Sequence, residues 1–143
     1  TSNPLTFTMS GGKALTAKSF KTFRASAGSF RANVNTSGGQ CVPYVRDETD
    51  IPFGDFSGNA ASTYQQAIDT GYATGATPRI SSIIVFAAQG NMTVGHVGIV
   101  TAINGTNLTI RDSNWSTNND EVVREHAVDV SQYTILGYIY YTP

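Results

Sequence analysis

A chain of 143 residues and 15.2 kDa, with 40% hydrophobic and 13% charged residues, has room for one domain with its own core and not for two. Its net charge is −1, and no apolar run approaches the roughly 20 residues a bilayer-spanning helix needs, so membrane insertion is not expected. Low charge with abundant Thr, Ser, Asn and Gly resembles extracellular, secreted or virion-associated proteins more than cytosolic enzymes.

The chain begins at Thr1 with neither an initiator Met nor a signal-peptide pattern, and is read as a soluble, processed or excised piece of something longer. Charge is unevenly placed. Residues 1–46 carry six basic groups (Lys13, Lys18, Lys21, Arg24, Arg31, Arg46) and no acid, while the remainder carries three basic and ten acidic groups. Such an excess can meet an anionic polymer such as nucleic acid or teichoic acid, but a solvated face is its more ordinary origin, and nucleic acid is not expected as a partner. One cysteine cannot close an internal disulfide, so the redox compartment is open.

In chain order, residues 1–36 carry the least pattern. A strand is expected within 5–9, and Phe20, Phe23 and Ala27 have the spacing of one helix face. Small residues at 26–29 and 33–39 read as a break, which divides an N-terminal extension, 1–36, packed on or leading into the domain, from a main domain, 37–143. A short helix is expected over 41–46, then an acidic loop with Asp47, Glu48, Asp50 and Asp55. The clearest helix follows: Asn59 can cap it, Ala60, Tyr64, Ala67 and Ile68 share a face, and Gly71 stops it. From Ile80 onward the pattern turns β, with strands expected at 80–86, 96–103, 107–111, 121–128 and 134–140 and a hairpin at Asn104 and Gly105. N-terminal helices packed on a C-terminal antiparallel sheet of about five to six strands define an α+β class.

The only cysteine, Cys41, follows Gly38, Gly39 and Gln40 where the first helix is expected to start. Orphan N–H groups and the positive dipole end at such a place stabilise a thiolate. A lone cysteine is more commonly a buried, inert thiol. Here the glycines allow backbone to approach a substrate, and Gln40 offers an amide N–H to an oxyanion. A thiol also needs an imidazole to take its proton. His96, in Gly95-His96-Val97-Gly98-Ile99-Val100, suits that role, since the glycines leave space beside the ring and the aliphatic residues anchor the strand. His126, between Glu125 and Ala127, lacks such surroundings and is read as a surface residue.

A third polar group should accept the second imidazole N–H, and Asp112 and Asn114 stand where the next strand ends. A two-residue Asn104-Gly105 loop would place Ser113 opposite His96, whereas an odd loop or a bulge would place Asp112 or Asn114 there. The odd register is expected, although apolar alternation alone leans toward the even one.

These residues resemble the CHAP domain, the cysteine- and histidine-dependent amidohydrolases/peptidases of bacterial cell-wall metabolism and phage lysis. The likeness runs through Gly-Gln-Cys-Val-Pro-Tyr-Val at 39–45, Gly-Asn-Ala at 58–60, Pro-Arg-Ile-Ser-Ser-Ile-Ile-Val-Phe at 78–86, Gly-His-Val-Gly-Ile-Val at 95–100 and Ile-Arg-Asp-Ser-Asn-Trp at 110–115, covering roughly residues 37–141. It implies a papain-like fold, with Cys41 as nucleophile, His96 as general base and then acid, and Asp112 and Asn114 as the remaining catalytic positions. Gln40, Tyr44 and Trp115 are expected to hold the oxyanion or the substrate. The implied substrate is bacterial peptidoglycan, cut between muramic acid and the first alanine or within the peptide, by the lytic module of a phage or secreted protein.

The family often has Glu at the place of Asp112, so which of Asp112 and Asn114 orients the ring stays open. Ser81-Ser82 replaces a usual Gly-Asp, and Tyr64 stands about where a Trp is common. Some relatives bind calcium through acidic residues ahead of the cysteine; that segment has none here, the acids at 47–55 lack an EF-hand spacing and read as a solvated loop, and neither metal nor cofactor is expected. A monomer or a part of a larger polypeptide fits the chain. The same fold without catalysis would be a wall-binding or virion structural module contacting glycan through Trp115, Tyr44, Tyr72 and the basic segment. A secreted antibacterial toxin would differ only in context.

Overall fold

Every residue of the strand β4 (Ile83–Phe86) is buried, as befits a strand with packed layers on both faces. The computed structural model describes residues 6–8, 14–16, 21–23, 30–115 and 119–141. Before β4 come a hairpin of β1 (Thr6–Thr8) and β2 (Ala14–Thr16), the helices α1 (Cys41–Glu48) and α2 (Thr63–Thr70), and β3 (Thr74–Gly75). After it come β5 (His96–Asn104), β6 (Asn107–Ser113), β7 (Val123–Asp129) and β8 (Ile135–Ile139). Six of these strands form one antiparallel sheet in the order β3-β8-β4-β5-β6-β7. The architecture is the α+β arrangement expected; the strands the sequence pattern missed are β2 and the two-residue β3, each too short to show a period.

The sheet separates two cores. On one face Val42, Val45, Ile51, Phe56 and Ala67 pack on Ile83, Val85, Val97, Ile99 and Ile139. On the other, Ile84, Phe86, Val100, Leu108 and Ile110 are covered by Met92, Trp115, Tyr138 and Tyr140.

Helix α1 starts abruptly after Gln40, whose backbone is extended (ψ 166°) and whose carbonyl accepts the Tyr44 N–H at 3.0 Å. Pro43 is tolerated because first-turn N–H groups have no intrahelical acceptor. Thr49 closes the helix with its N–H and hydroxyl on the Val45 carbonyl, at 2.9 and 2.8 Å. Helix α2 is preceded by a 3₁₀ turn, Ala60–Ser62, and the Asn59 side chain makes no capping bond to it. Gly71 ends α2 in the left-handed region (φ 101°), its N–H reaching the Ala67 and Ile68 carbonyls. Ile68 is exposed rather than on the expected buried face. The buried stripe follows Thr63 and Ala67, four apart, and Ile68 stands about 100° further round.

The segment before α1 is laced to the sheet edge. Asn35 N–H donates to the Val123 carbonyl at 2.8 Å, Val123 N–H to the Thr36 carbonyl at 2.9 Å, and the Ser113 hydroxyl to the Gly39 carbonyl at 2.6 Å. Gly38 lies so close to Val123 and the Ser113 hydroxyl that a Cβ there would collide with both. Upstream, the Glu48 carboxylate accepts the N–H groups of Arg31 and Ala32 at 2.7 and 2.8 Å, and Asp55 binds the Lys21 ammonium at 2.7 Å and the Tyr72 hydroxyl at 2.8 Å. The acids expected in a solvated loop after residue 46 are therefore not all solvated: Glu48 is the buried last residue of α1 and Asp55 is half-buried, because both anchor the N-terminal segment. Phe23 is buried against Tyr72; Phe20 and Ala27, expected to share its helix face, lie outside the described residues. The strand expected within 5–9 is β1.

One irregularity sets the site. The β5–β6 hairpin turns on Gly105 and Thr106, pairing Asn104 with Asn107, one residue later than expected. Left unbroken, that register would turn Ser113 to the face of His96. A bulge at Thr101, between the pairs Val100–Ile110 and Ala102–Thr109, shifts the register by one and turns Asp112 there instead.

Candidate active site

Cys41 is the first residue of α1, half-buried, and His96 is the first residue of β5, buried. The laced segment 35–39 places the helix start against the end of the sheet, so the thiol and the imidazole line one cleft, close enough to shift each other's protonation. The other side of the ring is held by Asp112, whose Oδ2 lies 2.7 Å from His96 Nε2. A carboxylate only accepts, so Nε2 carries a proton and Nδ1 is the nitrogen left for sulfur. Continuing the β5–β6 register places Gly98 opposite Asp112, and a Cβ on Gly98 would lie 3.2 Å from that of Asp112. With no side chain at 98, Asp112 reaches His96 diagonally.

Electrostatics follow from this chain of contacts. Burial pushes the Cys41 thiol up, but the hydrogen bond and charge of His96 and the N–H groups of Val97 and Val42 more than offset it, leaving the pKa below its ordinary value of 9.0. Burial pushes His96 down, yet its bonds to Asp112 and Cys41 prevail and raise it from 6.5 to about 9. Asp112 has no exposed surface, which favours the neutral acid; hydrogen bonds from His126 and His96 outweigh that and hold it ionised, below the ordinary carboxylate value. The arrangement favours a thiolate–imidazolium pair backed by a buried carboxylate.

The sulfur and the ring open onto a cleft of about 360 Å³ walled by Gln40, Asn91, Thr93, Val94, Asn114 and Asn119. Val94 is fixed by its carbonyl, which accepts the Ala61 N–H at 2.9 Å. Asn114 sits at the cleft with a left-handed backbone (φ 63°), and its Oδ1 accepts the Glu121 N–H at 3.0 Å, so Asp112 and not Asn114 contacts the imidazole. A larger hollow, about 660 Å³, lies beyond α1 against Arg31, Ser37 and Asp47. Neither a thiol nor an imidazole lines it, and its buried carboxylate, Glu48, already accepts two backbone N–H groups, so the smaller cleft is the candidate site.

Three aromatic residues are placed otherwise than expected. Tyr44, expected at the substrate, is 1% exposed, and its hydroxyl accepts from Arg111 Nε at 3.1 Å. Trp115 packs edge-on against His96 and His126, ring centres 5.1 and 4.7 Å apart, and is 9% exposed. Tyr72 is buried as well, so these three rings form no surface platform for glycan. His126 is not the surface residue expected: it is half-buried, with Nε2 2.9 Å from Asp112 Oδ1 and 3.1 Å from Oδ2. The signal for it was Val128, two residues on, which shares its face of β7 and is buried. Among the described residues no group of three or more His, Cys, Asp and Glu is arranged to hold a metal ion, and no helix is long and apolar enough to cross a membrane.

The sequence model of the CHAP domain matches residues 31–114, starting ahead of the boundary expected near residue 36. No curated protein sequence matches the chain. Among solved structures, an N-acetylmuramoyl-L-alanine amidase from Staphylococcus aureus is similar with a TM-score of 0.58 and 22% identity over 80% of this chain. The structure of Ly7917 is similar with a TM-score of 0.53 and 19% identity over 80% of this chain, and a second Ly7917 structure, with the hydrolyzing product of MDP, with a TM-score of 0.53 and 20% identity over 74%. The matched regions span 34% of the amidase and 56% and 55% of the Ly7917 chains. At these identities the likeness bears on the fold, and it agrees with the papain-like α+β arrangement.

Proposed function

The chain belongs to the CHAP domain family, and from that premise we propose that it is a peptidoglycan hydrolase that cuts an amide bond through a covalent Cys41 intermediate. The observation that carries the reading is the contiguous set Cys41–His96–Asp112, with the thiol at a helix N-terminus and at the mouth of a cleft.

The Cys41 thiolate adds to the amide carbonyl, forming a C–S bond and pushing the carbonyl electron pair onto oxygen. That oxyanion is met by the Cys41 N–H, which as a first-turn group has no intrahelical acceptor, and by the Gln40 amide at the rim. Imidazolium His96 gives its Nδ1 proton to the leaving nitrogen as the C–N bond breaks. His96, now neutral, takes a proton from water, the hydroxide attacks the thioester, and the thiolate leaves. Asp112 stays ionised throughout, holding Nε2–H and stabilising each imidazolium. Asn114 and Asn119 line the cleft, where they offer amide groups to a peptide or an N-acetyl sugar.

Wall polymer is the substrate that the family supports, and the amidase named among the structural neighbours makes the muramoyl–alanine amide one candidate bond; a bond of the peptide stem or cross-bridge is the other. Action on the wall places the protein outside the cell or on a virion. Digestion of purified peptidoglycan followed by mass spectrometry tests this reading: soluble fragments with a new amine and carboxylate are expected, and fragments differing only at glycosidic bonds would contradict it.

A further inference from the structure

Hydrolysis by Cys41 and His96 uses one oxygen of Asp112 and leaves the other unexplained. A carboxylate with no exposed surface needs partners for both oxygens, or it protonates or turns. The second partner is His126. The β6–β7 register pairs Ile110 with His126 and Asp112 with Arg124, so His126 reaches Asp112 diagonally from β7 as His96 does from β5. The two imidazoles approach from opposite strands and opposite ends, and Trp115 packs against both rings, which closes that face of the cluster.

Charges around His126 are otherwise paired with each other. On its own face of β7, Arg124 binds Asp120 at 2.5 and 2.9 Å. On the opposite face, Arg111 of β6 binds Glu125 at 3.1 Å. The groove beyond His126, lined by Val34, Asn35, Arg124 and Glu125, shares no lining residue with the Cys41 cleft, so His126 touches the cluster without lining the substrate cleft.

We propose that His126 is a positioning residue for the hydrolysis: its Nε2–H clamps Oδ1 of Asp112, which keeps Oδ2 on His96 and so sustains the imidazolium that faces Cys41. The inference rests on the hydrolase reading, but its test does not need wall digestion. Gln places an N–H as many bonds from Cβ as the imidazole Nε2, and Met has nearly the shape of Gln without a donor. Alkylation of Cys41 by iodoacetamide, followed against pH, reads the thiolate without any substrate.

His126→Met should shift the alkylation profile to higher pH and lower kcat on peptidoglycan roughly 10- to 100-fold with KM little changed, the cost of a loosened catalytic geometry. His126→Gln should restore the parent profile and most of kcat. Equal behaviour of the two variants, whether both match the parent or both fail, would overturn the proposal. On the unaltered protein, ¹⁵N spectra of His126 should show a protonated Nε2, and a bare Nε2 overturns it even if His126→Met does not fold. A protein inert on walls whose alkylation profile still separates Met from Gln would refute the hydrolase reading and leave the clamp standing.

Discussion

His96 and Asp112 meet across a residue without a side chain: Nε2 and Oδ2 are 2.7 Å apart because Gly98, two residues along His96's own strand, stands opposite Asp112 and leaves the diagonal open. The hydrogen bond to the ionised Asp112, together with its charge, keeps the ring protonated. Asp112→Asn retains the size and an acceptor oxygen but removes that charge, so kcat/KM should fall by about 10² to 10⁴. The alkaline limb of the pH profile should also move down, since the ring then loses the main influence raising it. Steady-state kinetics across pH measures both effects.

The parent should have a bell-shaped kcat/KM profile. His96 is raised to about 9 and Cys41 is lowered, so the thiolate–imidazolium pair fills the interval between them. Above about 9 the ring loses the proton owed to the leaving amine, and activity falls. On the acid side the thiolate is protonated, and activity falls again. The two limbs belong to the pair jointly. An alkaline limb near the ordinary histidine value would contradict this electrostatic account.

Gly98→Ala should separate catalysis from stability. The added methyl would lie 3.2 Å from the Asp112 Cβ and 3.3 Å from the Arg111 carbonyl, so Asp112 must give by a few tenths of an ångström. A fall in kcat of roughly 10-fold with a small change in urea midpoint is expected. Gly95→Ala should do the reverse first. Gly95 has φ +82°, and its Cβ would lie 2.8 Å from Ala61 N, so strain and collision together should lower stability by about 2–4 kcal/mol in the same urea titration.

Arg111→Met tests what holds the segment of Phe30 and Ala32 to the sheet. Arg111 stacks on Phe30 at 4.4 Å, donates to Tyr44 and to the Ala32 carbonyl, and binds Glu125. Glu125 is 41% exposed on its side chain, so the ion pair itself contributes little. The loss comes from the Tyr44 hydroxyl and the Ala32 carbonyl left without their donor, about 2–3 kcal/mol. Equilibrium unfolding should show it, with an unchanged pH profile at temperatures where the protein stays folded.

That Cys41 and His96 belong together was legible because each sits in a glycine-flanked motif at an element boundary that the pattern already marked, and the structure brings both to one cleft. Which acid faces the ring was not, because β5 is buried on both faces from His96 to Val100 and its apolar run carries no register. The parity depends on a bulge at Thr101 that no residue type announces. His126 was missed because an edge strand with Arg124, Glu125 and His126 reads as solvated, and only the return of Trp115 over the sheet makes its face an interior one. Tyr44 shows the reverse error. It follows Cys41 by three residues, but that places it against Arg111 and Glu48 rather than in the cleft.

Release of amino groups from purified peptidoglycan, compared between the parent and Cys41→Ala, tests the central claim most directly. The parent should release them steadily, and the variant, folded to the same circular dichroism spectrum, should release none above the rate without protein. Release by Cys41→Ala at the parent's rate would show that the sulfur is not the attacking atom.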